Sequence, residues 1–501
     1  MGISYLTKHL LPYAETVSLR KASDQDPPCV QSVVIDGPSL VYHVYYRLLA
    51  WTNPTYDVLD IQPTCDEVSR GVLWQTRNLP ARWRNLPENP FMVSAVFEDL
   101  RSRWTKQLIL ITFQRSEIPL AEAEFPWAGI TVMVPGEADI ECARIAKLTG
   151  SAVLTNDSDL LVHDLGPHGA VVLLNSVHML QDAPGLIEPE IRGLRLHPTE
   201  LANRLGFVNV PRFAYELTQD PHQSFVELVR RSKDNSGTVE RSSGYIEFIR
   251  EYQPDEPTVA NNMRSVQTCD PRVSELFWQY EQPDIYRCAE QPHMYLGILH
   301  EDHSRRCAWE QGRFYRAIGY SLLNLSRSAP PKISCVHEFV RRGGRIVAEQ
   351  VSLGSTNMTA SDLNILQERL DLARTIFGHH TQSVFWVLFA LFEIHCDPSN
   401  TTATPNAVHL ERFLSKGFMG KRTEWADIHL MAQIQAVLYS LRILKQLVEI
   451  TAEKISFQHH GILADLPPLH LLMMSRYEIV KCFSVNQLAR NSVGQLFETY
   501  D

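Results

Sequence analysis

The sequence lacks the signatures that identify several large classes of protein. Its nine cysteines are scattered, and the lack of a C-x-x-C pair argues against structural zinc and disulfide staples and for a reducing compartment. No G-x-G-x-x-G or G-x-x-x-x-G-K-[ST] segment is present, so a nucleotide-dependent enzyme would have no phosphate loop. The longest apolar run, at residues 384–392, is shorter than the ~20 residues that span a bilayer. It predicts a buried helix instead.

The chain also lacks the excess of basic charge that is usual in nucleic-acid-binding proteins. Its formal net charge is −10 at pH 7. The scattered cysteines predict an intracellular protein, and because the sequence has no clear lysine-rich import run, either the nucleus or the cytoplasm fits. One window nevertheless places basic side chains among tryptophans, which suits phosphate contact and base stacking. The candidate nucleic-acid-binding residues are Arg70, Arg77, Arg82, Arg84, Arg101, Arg103 and Lys106. A solvated surface over core tryptophans is the alternative.

Acidic residues are concentrated in three short segments. The run Val-Pro-Gly-Glu-Ala-Asp places Glu137 and Asp139 at the start of a predicted helix. The run Thr-Asn-Asp-Ser-Asp places Asp157 and Asp159 after a short apolar strand, and Asp36 ends the upstream run Ser-Val-Val-Ile-Asp. Carboxylates this close repel one another, so a fold keeps them only with compensation such as a divalent cation. Together the five acids predict an Mg²⁺ site for phosphodiester chemistry.

Each acidic segment has a simpler interpretation when it is taken alone. Asp157 and Asp159 suit an Asx-rich turn, and acids in the first turn of a helix interact favourably with its dipole. Asp36 followed by Gly37 is typical of a strand that leads into a turn. The metal-site interpretation therefore depends on the combination of the three segments.

The first part of the chain predicts an α/β fold. Short apolar or β-branched runs are typical of parallel strands that are covered on both faces. They lie at 33–36, 108–112, 130–134, 152–156 and 170–175. A helix is predicted over 136–149, ended by Gly150. Because ligands gather at the carboxyl ends of strands in such sheets, where Asp36 and Asp157 lie, we expect the carboxylates to converge.

Composition divides the chain into four predicted segments. Residues 1–180 form the α/β domain, 181–231 a helical extension, 232–270 a polar linker or surface loop, and 271–501 a helical C-terminal domain. Within the last segment, apolar residues at helical spacing predict long helices at 363–377 and 424–450.

Four motifs in this order resemble the XPG/flap-endonuclease superfamily, and most nearly its divergent asteroid-type branch. They are Met-Gly-Ile at 1–3 with Leu6, Val-Ile-Asp-Gly at 34–37, Pro-Gly-Glu-Ala-Asp at 135–139 and Thr-Asn-Asp-Ser-Asp-Leu-Leu at 155–161. The motifs cover roughly the first 180 residues. The resemblance implies a PIN-like αβα domain with a parallel central sheet, followed by a mainly α-helical C-terminal region.

The resemblance also implies a divalent-metal-dependent nuclease that hydrolyses phosphodiester bonds in DNA, at flaps or single-stranded ends, in replication or repair. It implies two Mg²⁺ or Mn²⁺ ions, one with Asp36, Glu137 and Asp139 as ligands. Asp157 and Asp159 would hold or orient the second. DNA is the implied partner ahead of RNA, the helical C-terminal region is a candidate surface for a protein partner, and no membrane contact is expected.

Two motifs of the family are missing. Its Phe-Asp-Gly motif, with its acid, is absent near residue 79, where either a true deletion or an incomplete coding sequence explains the gap. Leu-Gly-Phe-Val-Asn-Val-Pro at 205–211 stands where the family has an acid in Leu-Gly-Ser-Asp-Tyr and then a helix-two-turn-helix that grips duplex DNA. The alternative function is therefore a catalytically degenerate XPG-like protein that binds nucleic acid or protein partners without cleavage.

Overall fold

A computed structural model describes most of the chain: residues 3–19, 29–51, 89–112, 123–180, 190–234, 237–252, 266–281, 291–327, 333–396, 407–416, 425–452, 454–455, 461–474 and 476–485. The chain divides into two compact units, each discontinuous in sequence. The first unit contains Met1–Tyr46 and Gly136–Asn261, and the second contains Arg47–Pro135 and Asn262–Asp501.

The secondary structure alternates between helices and strands in the first half and is mostly helical in the second. The strands are β1 (Glu15–Ser18), β2 (Val33–Ile35), β3 (Ala152–Thr155), β4 (Ala170–Leu173), β5 (His178–Leu180), β6 (Glu190–Leu196), β7 (His293–Tyr295), β8 (Cys335–Arg342) and β9 (Arg345–Ser352). The helices are α1 (Leu6–Leu10), α2 (Gly37–Trp51), α3 (Met92–Ser102), α4 (Lys106–Thr112), α5 (Ala138–Thr149), α6 (Pro198–Leu205), α7 (Val210–Gln219), α8 (Phe225–Ser232), α9 (Ser243–Tyr252), α10 (Pro271–Glu281), α11 (Arg313–Leu325), α12 (Thr356–Phe377), α13 (Gln382–Cys396), α14 (Ala407–Lys416), α15 (Trp425–Thr451), α16 (Leu469–Leu472) and α17 (Arg476–Val485).

The first unit is built on a mixed sheet with the strand order β1-β6-β4-β3-β2, and β5 also pairs with β6. Strands β2, β3 and β4 run parallel, whereas β1, β4 and β5 are each antiparallel to β6. Every residue of β4 is buried, as expected for a strand that is covered on both faces. The predicted α/β class with parallel strands is confirmed.

Helix α5 follows the local rules by which the sequence predicts it. Gly136 adopts a left-handed backbone with φ 71° just before the helix, and Gly150 ends it with φ 68°. Glycine is favoured at both positions because a Cβ atom makes this conformation costly. Ala146 on the inner face of the helix is fully buried in the core of the unit. The helix begins at Ala138, two residues after the predicted start at residue 136.

Two of the predicted strands are wrong. Residues 108–112 lie in α4, where Thr105 Oγ1 accepts a hydrogen bond from Leu108 N–H at 3.2 Å and caps the first turn. Residues 130–134 are irregular, because Thr131 N–H donates to Trp127 O and Met133 N–H donates to Gln267 O. Short apolar runs do not separate helix from strand by periodicity alone, so local capping at 105–108 and the hydrogen bonds of 131 and 133 were not visible in the composition.

The predicted linker at 232–270 contains a helix that packs on the core. Tyr245, Phe248 and Tyr252 share one face of α9; Tyr245 is buried, and the other two pack against the core of the first unit. The polar residues between these aromatic side chains gave the segment the composition of a loop. The aromatic spacing of three and four residues was the better signal.

The two units also differ from the four consecutive segments that composition predicts. Residues 47–135, predicted as part of the first domain, belong to the second unit, and residues 181–261 belong to the first unit with the sheet. A division by composition assigns neighbouring residues to the same domain. It therefore does not detect that each unit combines two segments separated in sequence.

The second unit is mainly helical, as predicted for the C-terminal region, and it also contains a three-stranded sheet in the order β7-β8-β9. Residues 384–392 are all buried within α13, so the predicted buried helix is confirmed. Helix α15 runs through this core and buries residues on all sides. Over the described residues, none of the helices has the length and apolar character needed to cross a membrane.

Candidate metal centre and family

Strand pairing brings Asp36 beside the end of β3. In the parallel pair of β2 and β3, Ile35 is the register partner of Leu154, so Asp36 and Thr155 follow at neighbouring positions. Thr155 Oγ1 donates to Asp36 Oδ2 at 2.7 Å, and Ser39 N–H donates to Asp36 Oδ1 at 3.3 Å. Asp36 is therefore a buried carboxylate with both oxygen atoms in defined positions.

The second acidic pair sits in a tight turn after β3. Asp157 N–H donates to Thr155 Oγ1 at 2.9 Å, and Asp159 N–H donates to Asp157 Oδ1 at 3.0 Å. Ile3 N–H donates to Asp159 Oδ1 at 2.7 Å, which ties the N-terminal segment to this turn. Burial and the charge of Asp157 raise the pKa of Asp159, while the Ile3 hydrogen bond lowers it. Asp157 thus forms the Asx turn that the sequence suggests. The charges of Asp157 and Asp159 also repel each other.

The first acidic pair lies at the start of α5. Glu137 is the N-cap residue and is exposed, and Asp139 lies in the first turn and is half-buried. No hydrogen bond from the helix to the Glu137 side chain caps the first turn. The helix dipole favours acids here, so α5 offers one partial compensation for their charge.

The five carboxylates of these segments, which we call the acidic cluster, lie close enough to repel one another. Burial raises the pKa of Asp139 most, and the charges of the other four carboxylates raise it further, to about 7. The other four are Asp36, Glu137, Asp157 and Asp159. Burial also raises the pKa of Asp36, although the hydrogen bonds from Thr155 and Ser39 oppose that shift. The convergence expected from the sequence is thus present as an electrostatic interaction.

The donor set suits a hard divalent cation, since carboxylate oxygen is the ligand that Mg²⁺ and Mn²⁺ prefer. Within the described ranges, however, no three His, Cys, Asp or Glu side chains are placed so that they could hold one ion together. To bind an ion, the carboxylates of the acidic cluster would have to move toward one another. Their mutual repulsion opposes that movement while they are ionised and no cation is bound.

We predict that the contribution of Asp139 to the unfolding free energy falls as pH rises when divalent cations are absent. The raised pKa of Asp139 means that its carboxyl group binds more protons in the native state than in the unfolded state between about pH 4 and pH 7. The stability that Asp139 contributes is therefore lost as pH rises through this window. Urea unfolding of the wild type and of Asp139→Asn in EDTA, at a series of pH values, measures this loss as the difference between the two proteins.

The control for this prediction is Glu141→Gln, which removes another acid of the first turn of α5, one that already pairs with Arg144 at 2.5 Å. It should leave the pH profile as in the wild type. A wild-type stability that does not fall relative to that of Asp139→Asn between pH 5 and pH 7 would contradict the prediction.

Titratable neighbours of the cluster are held in their neutral forms. Burial, followed by the charges of Asp36 and Asp139, raises the pKa of the Cys142 thiol to about 12. Burial lowers the pKa of His163 to about 4, although the charge of Asp157 opposes the shift. At neutral pH the Cys142 thiol and the His163 imidazole are therefore both neutral.

Several polar residues that hold the site were missed from the sequence. Asn156 N–H donates to Ser39 Oγ at 2.8 Å, and Asn156 Oδ1 accepts from Asn175 N–H at 2.8 Å. His43 Nδ1 lies 2.9 Å from Asn175 Oδ1. These contacts join α2 to the ends of β3 and β4. The adjacent Thr155 and Asn156 were the available signal, but the partners are distant in sequence.

Most of the predicted nucleic-acid-binding residues lie outside the described residues: Arg70, Arg77, Arg82 and Arg84. Of the others, Arg101 donates from one nitrogen to Ala128 O at 2.9 Å and to Thr131 O at 2.5 Å. Arg103 pairs with the buried Asp99 at 3.3 Å. These two side chains support their own unit, and Lys106 is half-buried at the start of α4.

The segment 205–211 has a structural explanation. Gly206, with φ 71°, ends α6, and Asn209 Oδ1 accepts a hydrogen bond from Arg212 N–H at 2.8 Å to begin α7. The residues that replace the family's acid motif therefore form a short turn between two helices.

The comparisons with known proteins match most of this chain. The family model described as XPG domain containing matches residues 88–353, a range that includes both acidic pairs and not Asp36. Asteroid homolog 1 of Schizosaccharomyces pombe is 22% identical over 479 residues, which cover 91% of this chain and 85% of the relative. No solved structure matches significantly. The chain therefore belongs to the XPG-domain family, as an XPG-like protein of the asteroid type.

Proposed function

We propose that this protein is a divalent-metal-dependent nuclease that hydrolyses phosphodiester bonds in DNA, at flaps or single-stranded ends, in a role similar to replication or repair. The observation that supports the proposal is the acidic cluster at the carboxyl ends of β2 and β3. Burial, followed by the charges of the other four carboxylates, raises the pKa of Asp139 to about 7. A scaffold protein has little reason to keep such mutually repelling charges, whereas a cation site needs them.

Each carboxylate has a distinct part in this proposal. Asp36, Glu137 and Asp139 would hold one cation, and Asp157 and Asp159 would hold or orient a second. When bound, two such ions activate a water molecule and stabilise the departing oxygen of an in-line displacement.

Other residues of the chain fix the positions of these carboxylates. Thr155 and Ser39 orient Asp36 through their hydrogen bonds, and Ile3 orients Asp159. A carboxylate with a fixed orientation loses less entropy when it binds an ion, so these contacts favour preorganisation.

A catalytically degenerate member of the family is the second candidate. The two missing acid motifs favour it, and so does the turn at 205–211, which serves to join α6 and α7. Such a protein would bind nucleic acid, or a protein partner through its helical C-terminal region, without cleavage.

Calorimetric titration with MnCl₂ distinguishes the two candidates without requiring a substrate. We expect the wild type to bind Mn²⁺ with stoichiometry near two, and Asp139→Asn to bind it at least about tenfold more weakly. Even the loss of a residue that only orients a metal ligand weakens affinity by about 10- to 100-fold. Glu141→Gln is the matched control and should bind like the wild type. Equal binding by Asp139→Asn, or none by the wild type, would favour the degenerate protein.

A further inference from the structure

The first unit carries a row of aromatic and cationic side chains that the acidic cluster does not use. We call it the aromatic–basic strip, and its members are Tyr5, Lys8, His9, Tyr13, Arg204 and Phe225. Tyr13 and Phe225 are half-buried against the core of the unit. Leu6 and Leu10 of α1 are fully buried, so the exposed Lys8 lies on the opposite, solvent-facing side of that helix. The strip therefore follows the outer face of the N-terminal segment.

Ring stacking and cation–π contacts form two groups within the strip. In the first group Phe225 stacks with both His9 and Tyr13, its ring centroid 5.7 Å from each, and the Arg204 guanidinium lies 5.4 Å from the centroid of Tyr13. In the second group Lys8 Nζ lies 5.7 Å from the centroid of Tyr5. Each group therefore combines aromatic rings with one cation, and helix α1 connects the two groups through the neighbouring residues Lys8 and His9.

The strip starts beside the acidic cluster. Ile3 N–H is bonded to Asp159 Oδ1 at 2.7 Å, and Tyr5 follows two residues later, which places its Cα atom within about 7 Å of Ile3. Tyr5 therefore lies near the turn that holds Asp157 and Asp159.

Tyr5, the N-cap residue of α1, has a left-handed backbone conformation that is rare for a residue with a side chain. Its φ angle is 68°, and no other non-glycine residue among those described has a positive φ. Its side chain is 47% exposed, so the conformation does not serve to bury the ring. Strained residues of this kind tend to occur at functional sites, and here the strain places an aromatic ring at the surface.

We propose that the aromatic–basic strip binds the single-stranded part of a nucleic-acid substrate and leads it to the acidic cluster. A base would stack on Tyr5 and Lys8 would contact a phosphate beside that ring, while Arg204 would contact a phosphate beside the His9–Phe225–Tyr13 stack. Alternating aromatic faces and cations match the requirements of single strands, because every base has a flat face and every nucleotide a negative charge. Delivery to the carboxylates rests on the proposed nuclease function; strand binding does not.

The experiment measures binding of fluorescein-labelled dT15 by fluorescence anisotropy in EDTA, over a series of KCl concentrations. Tyr5→Gly is the main variant, since glycine accepts the left-handed backbone and the fold should be retained. It is expected to bind about 5- to 150-fold more weakly, because stacking on one ring contributes about 1–3 kcal/mol per base. Tyr5→Phe keeps the ring and should bind like the wild type.

A second arm tests the phosphate contacts. Lys8→Gln with Arg204→Gln should lower the slope of log K against log[KCl] by about 1.4, because each phosphate that a cation neutralises on a single strand contributes about 0.7 to that slope. Lys147→Gln is the matched control, because Lys147 is a half-exposed cation in the last turn of α5, paired with Asp164 at 2.7 Å. It should leave affinity and slope unchanged.

The outcomes separate this proposal from the nuclease proposal, since binding in EDTA requires neither metal nor cleavage. Weaker binding by Tyr5→Gly and a shallower slope in the double variant support the strip. Wild-type affinity in both variants would overturn it, as would a wild type that binds neither dT15 nor U15. A parallel titration with U15 RNA identifies the preferred strand, and preference for RNA would keep the strip while replacing DNA as its ligand.

Discussion

Asp157→Asn combined with Asp159→Asn is expected to lower single-turnover cleavage of a flap substrate by about 10³-fold or more. Metal ions at such sites supply several kcal/mol of transition-state stabilisation, and each 1.4 kcal/mol corresponds to tenfold in rate. Asparagine keeps the oxygen atoms that accept from Asp159 N–H and Ile3 N–H. The double variant should therefore fold normally, and above pH 7 in EDTA it should be more stable than the wild type because like charges have been removed.

The control for this variant is Asp164→Asn, which removes a nearby acid that pairs with Lys147 at the surface. It should cleave like the wild type. Cleavage by the double asparagine variant at the wild-type rate would show that Asp157 and Asp159 are turn residues only. Loss of both cleavage and cooperative unfolding would identify the pair as structural, and thermal unfolding measured beside the assay distinguishes that result.

Glu338→Leu is expected to lower the unfolding free energy of the second unit by about 3–5 kcal/mol, the usual penalty for breaking a buried ion pair. Arg316 and Glu338 have no exposed side-chain surface. Arg316 Nε and one of its terminal nitrogens donate to the two Glu338 oxygens at 2.6 Å and 2.8 Å, and Tyr320 Oη donates to Oε1 at 2.8 Å. Removal of the carboxylate would leave the guanidinium buried without a counter-charge.

The matched control is the double variant Arg316→Met with Glu338→Leu. Apolar side chains of similar volume in place of a buried ion pair are often neutral or stabilising, so the double variant should recover most of the loss. Urea unfolding, followed by tryptophan fluorescence, measures both variants. An effect of Glu338→Leu below about 1 kcal/mol, the size typical of surface pairs, would contradict the role of Arg316 and Glu338 as a buried ion pair.

Local features of the candidate site were predictable from the sequence. Val-Val-Ile before Asp36 forms β2, Ala-Val-Leu-Thr before Asp157 is β3, and Gly150 ends α5. Each depends on a few neighbouring residues and on rules of the backbone that act locally. The parallel strands then bring their carboxyl ends to one edge of the sheet, so the convergence of the acids followed from local predictions.

Features that depend on distant contacts were not predictable in this way. Residues 108–112 have the composition of a strand and form α4, and the polar segment around α9 owes its structure to three aromatic side chains on one face. The Ile3–Asp159 hydrogen bond joins residues 156 positions apart. Pairs such as Arg316 with Glu338 look like ordinary surface charges in the sequence, because burial becomes visible only once β8 and α11 pack together.

The strained backbone of Tyr5 belongs to the same group. A tyrosine followed three residues later by lysine is unremarkable in a sequence, and only the structure gives it a positive φ angle and an exposed ring. The candidate nucleic-acid-binding residues were predicted from composition, because basic side chains lie among tryptophans in that window. Two of them, Arg101 and Arg103, prove to be engaged in internal contacts.

The most direct test of the central claim is a cleavage assay with the wild-type protein on a 5′-flap DNA labelled at its 5′ end, with MnCl₂, with MgCl₂ and with EDTA. We predict cleavage in both metals and none in EDTA, with a single main product whose length locates the cut near the junction of the flap. A folded wild-type protein that binds the flap and leaves it intact in both metals would contradict the claim, and it would show that the acidic cluster of this XPG-like protein no longer supports catalysis.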